Sequence, residues 1–335
     1  IMSLLGSGLL LMGICMLYDL TGHLLMENIQ QQITAIMAAG TYQIPMLITI
    51  GIITVGLSIK SALFPFHSWV PDAYGYSTVS SGAILSSLVS KGYIFLLFKI
   101  IYRVLGFQAF ADSHILNLLF LFGLCGMIFG SISAIWEKDI RRMIAFSSVA
   151  QIGYIYMGLG LGTEMGVIAA IFHILAHGAT KSLLFVSAIG LTDVSGGSRS
   201  FFELTGSAYR NKIAGAGFLV ASLSMVGIPM FSGFVSKLLF AEAAVLVPNW
   251  KLFPTLIVLA ISTVLNAIYF LKTVVRIYSP ARKEEVEAKG YYCTRFGEQK
   301  LYAVTVVLFI VVNLILGMTS QPIIALIAEG LHHFA

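Results

Sequence analysis

Charge is what this chain has least of. Only 10% of its 335 residues are Asp, Glu, Lys or Arg, against 58% hydrophobic, and the mean hydropathy is +0.92. Soluble domains carry about 25% charged residues, so that class is excluded. Runs of about 20 mostly apolar residues, enough for a helix to cross about 30 Å of hydrocarbon, recur along the chain. The sequence therefore reads as an all-α, polytopic integral membrane protein. Nine spans are expected, near 3–19, 44–63, 80–102, 114–136, 141–161, 165–190, 213–241, 253–278 and 302–327.

Other absences narrow the chemistry. Cys15, Cys125 and Cys293 form no CxxC pair and two lie in spans, so neither a disulfide framework nor a metal cluster is indicated and they read as small apolar filler. HExxH and GxSxG are missing, which removes the zinc-protease and serine-hydrolase signatures. There is no glycine-rich nucleotide loop in an αβ setting and no haem-ligand pattern, so no cofactor, no metal and no catalytic residue is assigned. The longest polar stretches, 191–212 and 279–300, are loop-sized and leave no soluble domain. No basic leader or small-residue cleavage site accompanies the first span. The opening Ile1 and the odd number of spans lead us to expect that the sequence begins partway through a longer protein.

The charge that is present is placed asymmetrically. Lys138, Arg141, Arg142, Arg199, Arg210, Lys212, Lys272, Arg276, Arg282, Lys283, Lys289, Arg295 and Lys300 fall on one side of the predicted spans. Arg103, Lys251 and Lys99 fall on the other. Cytoplasmic loops collect Lys and Arg, so the first side is expected to be cytoplasmic and the C-terminus outside. The basic excess is thus topological and not a nucleic-acid signal.

Four lysines break the pattern by sitting inside spans: Lys60, Lys91, Lys181 and Lys237. An ammonium at bilayer depth costs about 3 kcal/mol on insertion scales, which makes each a functional-site candidate. Two spans are interrupted beside such a lysine. GLSIKSALFPFHSWVPDA places Pro65 five residues after Lys60, and VGIPMFSGFVSK places Gly227, Pro229 and Gly233 before Lys237. Proline removes a helix hydrogen bond and clashes with the preceding turn, so both helices should break. Interrupted helices at matching positions of two halves point to a transport path. In span six, His173, His177 and Lys181 stand at i, i+4 and i+8, climbing one face over about 12 Å with about 80° of drift. Imidazole can accept a proton on one nitrogen and release one from the other, which suits a relay. The spans are almost bare of acids. Glu242 lies near the end of span seven, Asp72 follows the first break, and Lys60 and Lys91 have no evident carboxylate.

At these residues the chain resembles a known family. KSALFPFHSWVPDAYGYSTVSSGAILSSLVSKGYIFLLFKI resembles the signature region of the proton-conducting antiporter-like subunits of respiratory complex I, membrane-bound hydrogenases and Mrp-type cation/proton antiporters. EKDIRRMIAFSSVAQIGY, FHILAHGATKSLLFVSAIG and GIPMFSGFVSK follow in that family's order. The resemblance implies a fourteen-helix fold of two inverted five-helix repeats, of which this chain would hold the last nine helices. On that register 1–110 closes the first half, 111–280 is the second half, and 281–335 is a cytoplasmic loop with a final helix. It implies that Lys60 is the lysine of the first broken helix, Lys91 the bridging lysine, His173, His177 and Lys181 the central relay, and Lys237 the exit lysine. The family's key glutamate belongs to a helix preceding this sequence, and YGYSTVSSG stands where a further proline is usual after PDA.

The resulting expectation is a subunit in a prokaryotic cytoplasmic (inner) membrane. It would move protons or Na+ through a midplane lysine/histidine line, driven by partner subunits of a quinone-linked or hydrogenase-type complex that hold any redox chemistry. The competing readings are a non-conducting membrane scaffold and an Mrp-type secondary antiporter subunit.

Overall fold

The protein's structure, a computed structural model, describes residues 1–281, 291–294 and 299–334. Arg282, Lys283, Lys289 and Arg295, which contribute to the expected sidedness, lie outside the described residues. The principal helices are α1 Met2–Thr21, α2 Met26–Ala39, α3 Gln43–Ser61, α4 Val70–Tyr76, α5 Ser80–Leu105, α6 Ile115–Trp136, α7 Ile140–Gly160 and α8 Glu164–Asp193. They continue as α9 Lys212–Val226, α10 Ser232–Val245, α11 Asn249–Ile277, α12 Lys300–Met318 and α13 Ser320–Phe334. Among the described residues eight helices are long and apolar enough to cross a membrane, and α9 is a shorter apolar helix. An integral, multi-pass membrane protein follows.

The expected 213–241 span is two helices. α9 ends at Val226, and α10 begins only at Ser232. In the second span, α3 stops at Ser61, Ala62 takes a left-handed φ of 66°, and helix resumes at Val70. Two boundaries differ from the sequence reading. The apolar run expected to span 302–327 ends at Met318, and a separate helix follows from Ser320, where Pro322 sits in the first turn and needs no intrahelical N–H partner. Residues 26–39, between the first two expected spans, form α2, which buries Ile29 and Ile33 one turn apart.

α7 is the central helix, buried along nearly all its length. It lies tight against α6 because small residues meet there: a Cβ on Gly153 would stand 2.6 Å from the Gly123 carbonyl, and one on Gly130 would stand 2.6 Å from Ala150 N. In lipid, such close backbone approach replaces the hydrophobic drive that water would supply. Asp139 starts α7 by accepting from the N–H groups of Arg141 (2.8 Å) and Arg142 (3.2 Å). The arginines read as topological also hold α4 in place. Arg199 donates to the Gly75 carbonyl at 2.9 Å, Arg141 donates to the Ser77 carbonyl, and Arg142 pairs with Asp72 and Glu137. Cations are favoured at these unpaired carbonyls of a helix C-terminus.

Candidate functional site

The buried polar groups gather where the second break meets α8. α9 leaves its last carbonyls without intrahelical donors, and Lys237 of α10 reaches back to them. Its Nζ donates to Val226 O at 2.6 Å, to Met225 O at 3.3 Å and to Thr263 Oγ1 of α11 at 3.1 Å. Gly227 is required here twice over. Its φ of 89° is left-handed, and a Cβ would stand 3.0 Å from Lys237 Cδ and 3.2 Å from Nζ. Gly233 lets α10 start directly against α9, since a Cβ there would collide with the Ser224 carbonyl. Pro229 lies in the intervening turn, beside Met230 with a φ of 81°.

On α8 the rings of His173 and His177 stack almost parallel, with centroids 5.9 Å apart and 5° between planes. Tyr154 of α7 also stacks on His173, with centroids 5.4 Å apart. His173 Nδ1 bonds Ser236 Oγ of α10 at 3.0 Å. His173 Nε2, both ring nitrogens of His177 and Gln151 Nε2 are buried with no hydrogen-bond partner among the described residues. These groups line one narrow cavity together with Thr180, Ser224 and Lys237. It offers about 10 Å3 to water, which is room for about one molecule.

Lys181 turns another way. Fully buried, it donates to the Ile144 carbonyl at 2.8 Å and to Ser147 Oγ, both on α7, and not to His177. Lys91 is buried on α5 at the end of a π-turn, Leu85–Val89, a geometry frequent at functional sites. Its Nζ donates to the Ser86 carbonyl and to Ser90 Oγ at 3.2 Å, and it is an electrostatic neighbour of His177 and Lys181. Lys60 stands apart at the end of α3, its Nζ 4.8 Å from the Tyr93 ring centroid. Among the described residues it has neither a hydrogen-bond acceptor nor a carboxylate. Pro65 lies in the turn between α3 and α4, where Trp69 Nε1 donates to the Ile59 carbonyl at 3.2 Å. Five of the six sequence-selected side chains thus lie around α8, and Lys60 is set off from them.

Sequence reasoning passed over Asn313 of α12. Its Oδ1 accepts from Thr180 (2.7 Å), Ser224 (3.2 Å) and Ser232 (3.2 Å), tying α8, α9 and α10 together at the break. Asn266 and Tyr269 of α11 were missed as well. The usable signal was the one applied to lysine, since an amide inside an apolar span also demands a partner.

Residues 1–265 match the family described as NADH:quinone oxidoreductase/Mrp antiporter, TM. The chain belongs to that family. It is 34% identical over 268 residues to the NADH-quinone oxidoreductase subunit N of Desulforudis audaxviator, covering 80% of this chain and 52% of that one. It is 32% identical over 295 residues to the antiporter subunit mnhA2 of Staphylococcus haemolyticus, covering 81% of this chain and 36% of that one. The chain therefore spans about half the length, or less, of these curated relatives. Its fold is similar to a chain of the Mrp complex from Dietzia sp. DQ12-45-1b (TM-score 0.82, 26% identity, 98% of this chain and 65% of that one). It is also similar to a chain of the membrane-bound sulfane sulfur reductase, an archaeal respiratory membrane complex (TM-score 0.83, 23% identity, 98% and 63%).

Proposed function

We propose that this chain is a proton-moving, antiporter-like subunit of a multisubunit membrane complex, and that Lys91, His173, His177, Lys181 and Lys237 carry the proton, with Lys60 as the receiving lysine of the first break. The observation that carries the reading is the single cavity lined by His173 and His177 of α8 and by Lys237 of the second break. A proton held by Lys237 can reach the free Nε2 of His173 across one water. Stacked His177, with no competing partner, can take it onward toward Lys91 and Lys181. The donor set favours H+ over Na+, because a metal cation needs oxygen ligands. The titratable groups lining the cavity are ammonium and imidazole; its oxygens are the neutral ones of Thr180, Ser224 and Gln151, and among the described residues no carboxylate joins them.

In this reading the halves divide near residue 110 and near residue 280, the basic loops face the cytoplasm of a prokaryotic inner membrane, and the C-terminus is outside. The drive comes from partner subunits. The names of the relatives include both redox-linked and antiporter classes, and the subunits that co-purify with this chain decide which applies here.

Lys181→Ala tests the reading. Exchanging a buried ammonium for an apolar group removes a desolvation cost, so the complex should assemble. Proton pumping in sealed vesicles should be lost. Normal pumping stoichiometry in the assembled variant would overturn the relay and favour a scaffold.

A further inference from the structure

The cations of the basic face fall into two sets. Arg141, Arg142 and Arg199 are engaged, by the Ser77 carbonyl, by Asp72 and Glu137, and by Asp139 and the Gly75 carbonyl. Lys138, Lys272 and Arg276 have no ion pair and no side-chain hydrogen bond among the described residues, and all three line one cavity of about 410 Å3. We infer that this cavity, between the ends of α6 and α11, holds the phosphate headgroup of an anionic membrane phospholipid. The site is independent of the proposed proton path.

Two places in the chain supply the charge. Trp136 ends α6 and Lys138 follows it in the turn before α7, while Lys272 and Arg276 stand at i and i+4 on one face of α11. Glu137 is the one carboxylate among the lining residues, and Arg142 Nε already donates to it at 3.1 Å. The recess therefore keeps an uncompensated positive charge. Phosphate oxygens suit it because they accept from ammonium and guanidinium together, the guanidinium donating as a planar fork. The volume is also within the range of about 300–1,000 Å3 usual for small-molecule sites.

The surroundings select a lipid over a soluble phosphate. Trp136 is 80% exposed, and an indole at a membrane interface sits at headgroup level. Before Lys272 the same stripe of α11 turns apolar and exposed, at Ile268 and Val264, and α6 does the same before Trp136, at Ile132 and Phe129. Acyl chains have two apolar ridges to lie along. Basic pockets between spanning helices at the cytoplasmic side recognise anionic headgroups in this way. Simpler accounts cover less. The favourable placing of a cation at a helix C-terminus explains Arg276 singly, but Lys272 lies before the last turn of α11 and Lys138 outside any helix. Solvation explains scattered surface cations, whereas three converging on one recess repel one another until an anion joins them.

The test places the assembled complex in phosphatidylcholine vesicles with a trace of photoactivatable phosphatidylglycerol and maps the crosslinked peptides by mass spectrometry. Crosslinks should fall on the α6 and α11 peptides that contain Trp136 and Ile268. Unlabelled phosphatidylglycerol should compete, while further phosphatidylcholine and excess inorganic phosphate should not. A Lys or Arg beside an anionic lipid is worth about five-fold in affinity, so Lys272→Gln with Arg276→Gln should raise the phosphatidylglycerol needed for half-competition about twenty-five-fold. Lys212→Gln with Lys300→Gln removes the same charge away from the cavity and should change nothing. An equal loss in that control would overturn the site in favour of general surface attraction, and competition by inorganic phosphate would overturn the lipid as its occupant. Should the variants fail to assemble, the unaltered complex still decides: equal crosslinking by phosphatidylcholine and phosphatidylglycerol probes overturns the inference. Pumping is not the readout, so the relay and this site stand or fall separately.

Discussion

Gly227→Ala probes the second break at the point where backbone and ammonium meet. Two costs are separable. An L-residue in the left-handed region costs about 1–2 kcal/mol whatever surrounds it. The new Cβ would also stand 3.0 Å from Lys237 Cδ and 3.2 Å from Nζ, so the side chain must swing off the Met225 and Val226 carbonyls. The size of that second cost is bracketed by about 0.6 kcal/mol, the mean for an interhelical bond in a membrane, and about 3 kcal/mol, the upper figure for a bond to a charged group. Thr263, 3.1 Å away, keeps part of the ammonium's coordination and holds the value below the sum of two such bonds. The assay is a double-mutant cycle of Gly227→Ala, Lys237→Ala and the pair, by SDS titration of the purified protein with tryptophan emission as readout. With Lys237 absent only the backbone cost should remain, so Gly227→Ala should be milder there by about 1 kcal/mol or more. A coupling below about 0.5 kcal/mol, the usual error of additivity, would refute the account of Gly227 as the seat of Lys237.

Asn313→Leu should destabilise by about 1–2 kcal/mol in the same titration, because three hydroxyls lose a shared acceptor and Thr180 retreats to the Ala176 carbonyl it already meets at 2.7 Å; no change would show that the hub carries no energy. For sidedness, Lys138→Cys should be protected and Asp112→Cys labelled when an impermeant thiol reagent is applied to the outside of intact cells, and labelling of both would overturn the topology.

What was legible followed from energetic cost. A run of about 20 apolar residues has few alternatives to a spanning helix, so most spans could be read to within a few residues. α2 escaped because it is short and amphipathic, and its Ile29 and Ile33 pack on neighbours that hydropathy cannot see. The overrun past Met318 has the same root, because the apolar character continues through Ile323 and Ile324 although the helix does not. The lysines stood out because charge in a span is expensive. Their partners did not, because a seryl oxygen such as Ser147 or an amide such as Asn313 costs little in sequence terms and counts only once helices are docked. Helical spacing put His173, His177 and Lys181 on one face, but four freely rotating methylenes take the ammonium of Lys181 to α7, where the Ile144 carbonyl and Ser147 wait.

Asn313 has a consequence for how the molecule is made. It lies on α12, beyond the 1–265 stretch that carries the family match, and is synthesised after the three hydroxyls it gathers. Until α12 enters the bilayer, Thr180, Ser224 and Ser232 have no common acceptor and one side of the second break faces lipid. The helix that completes this polar cluster is the last of the four to be made, so the second break reaches its final hydrogen bonding only when α12 docks, late in the building of the protein.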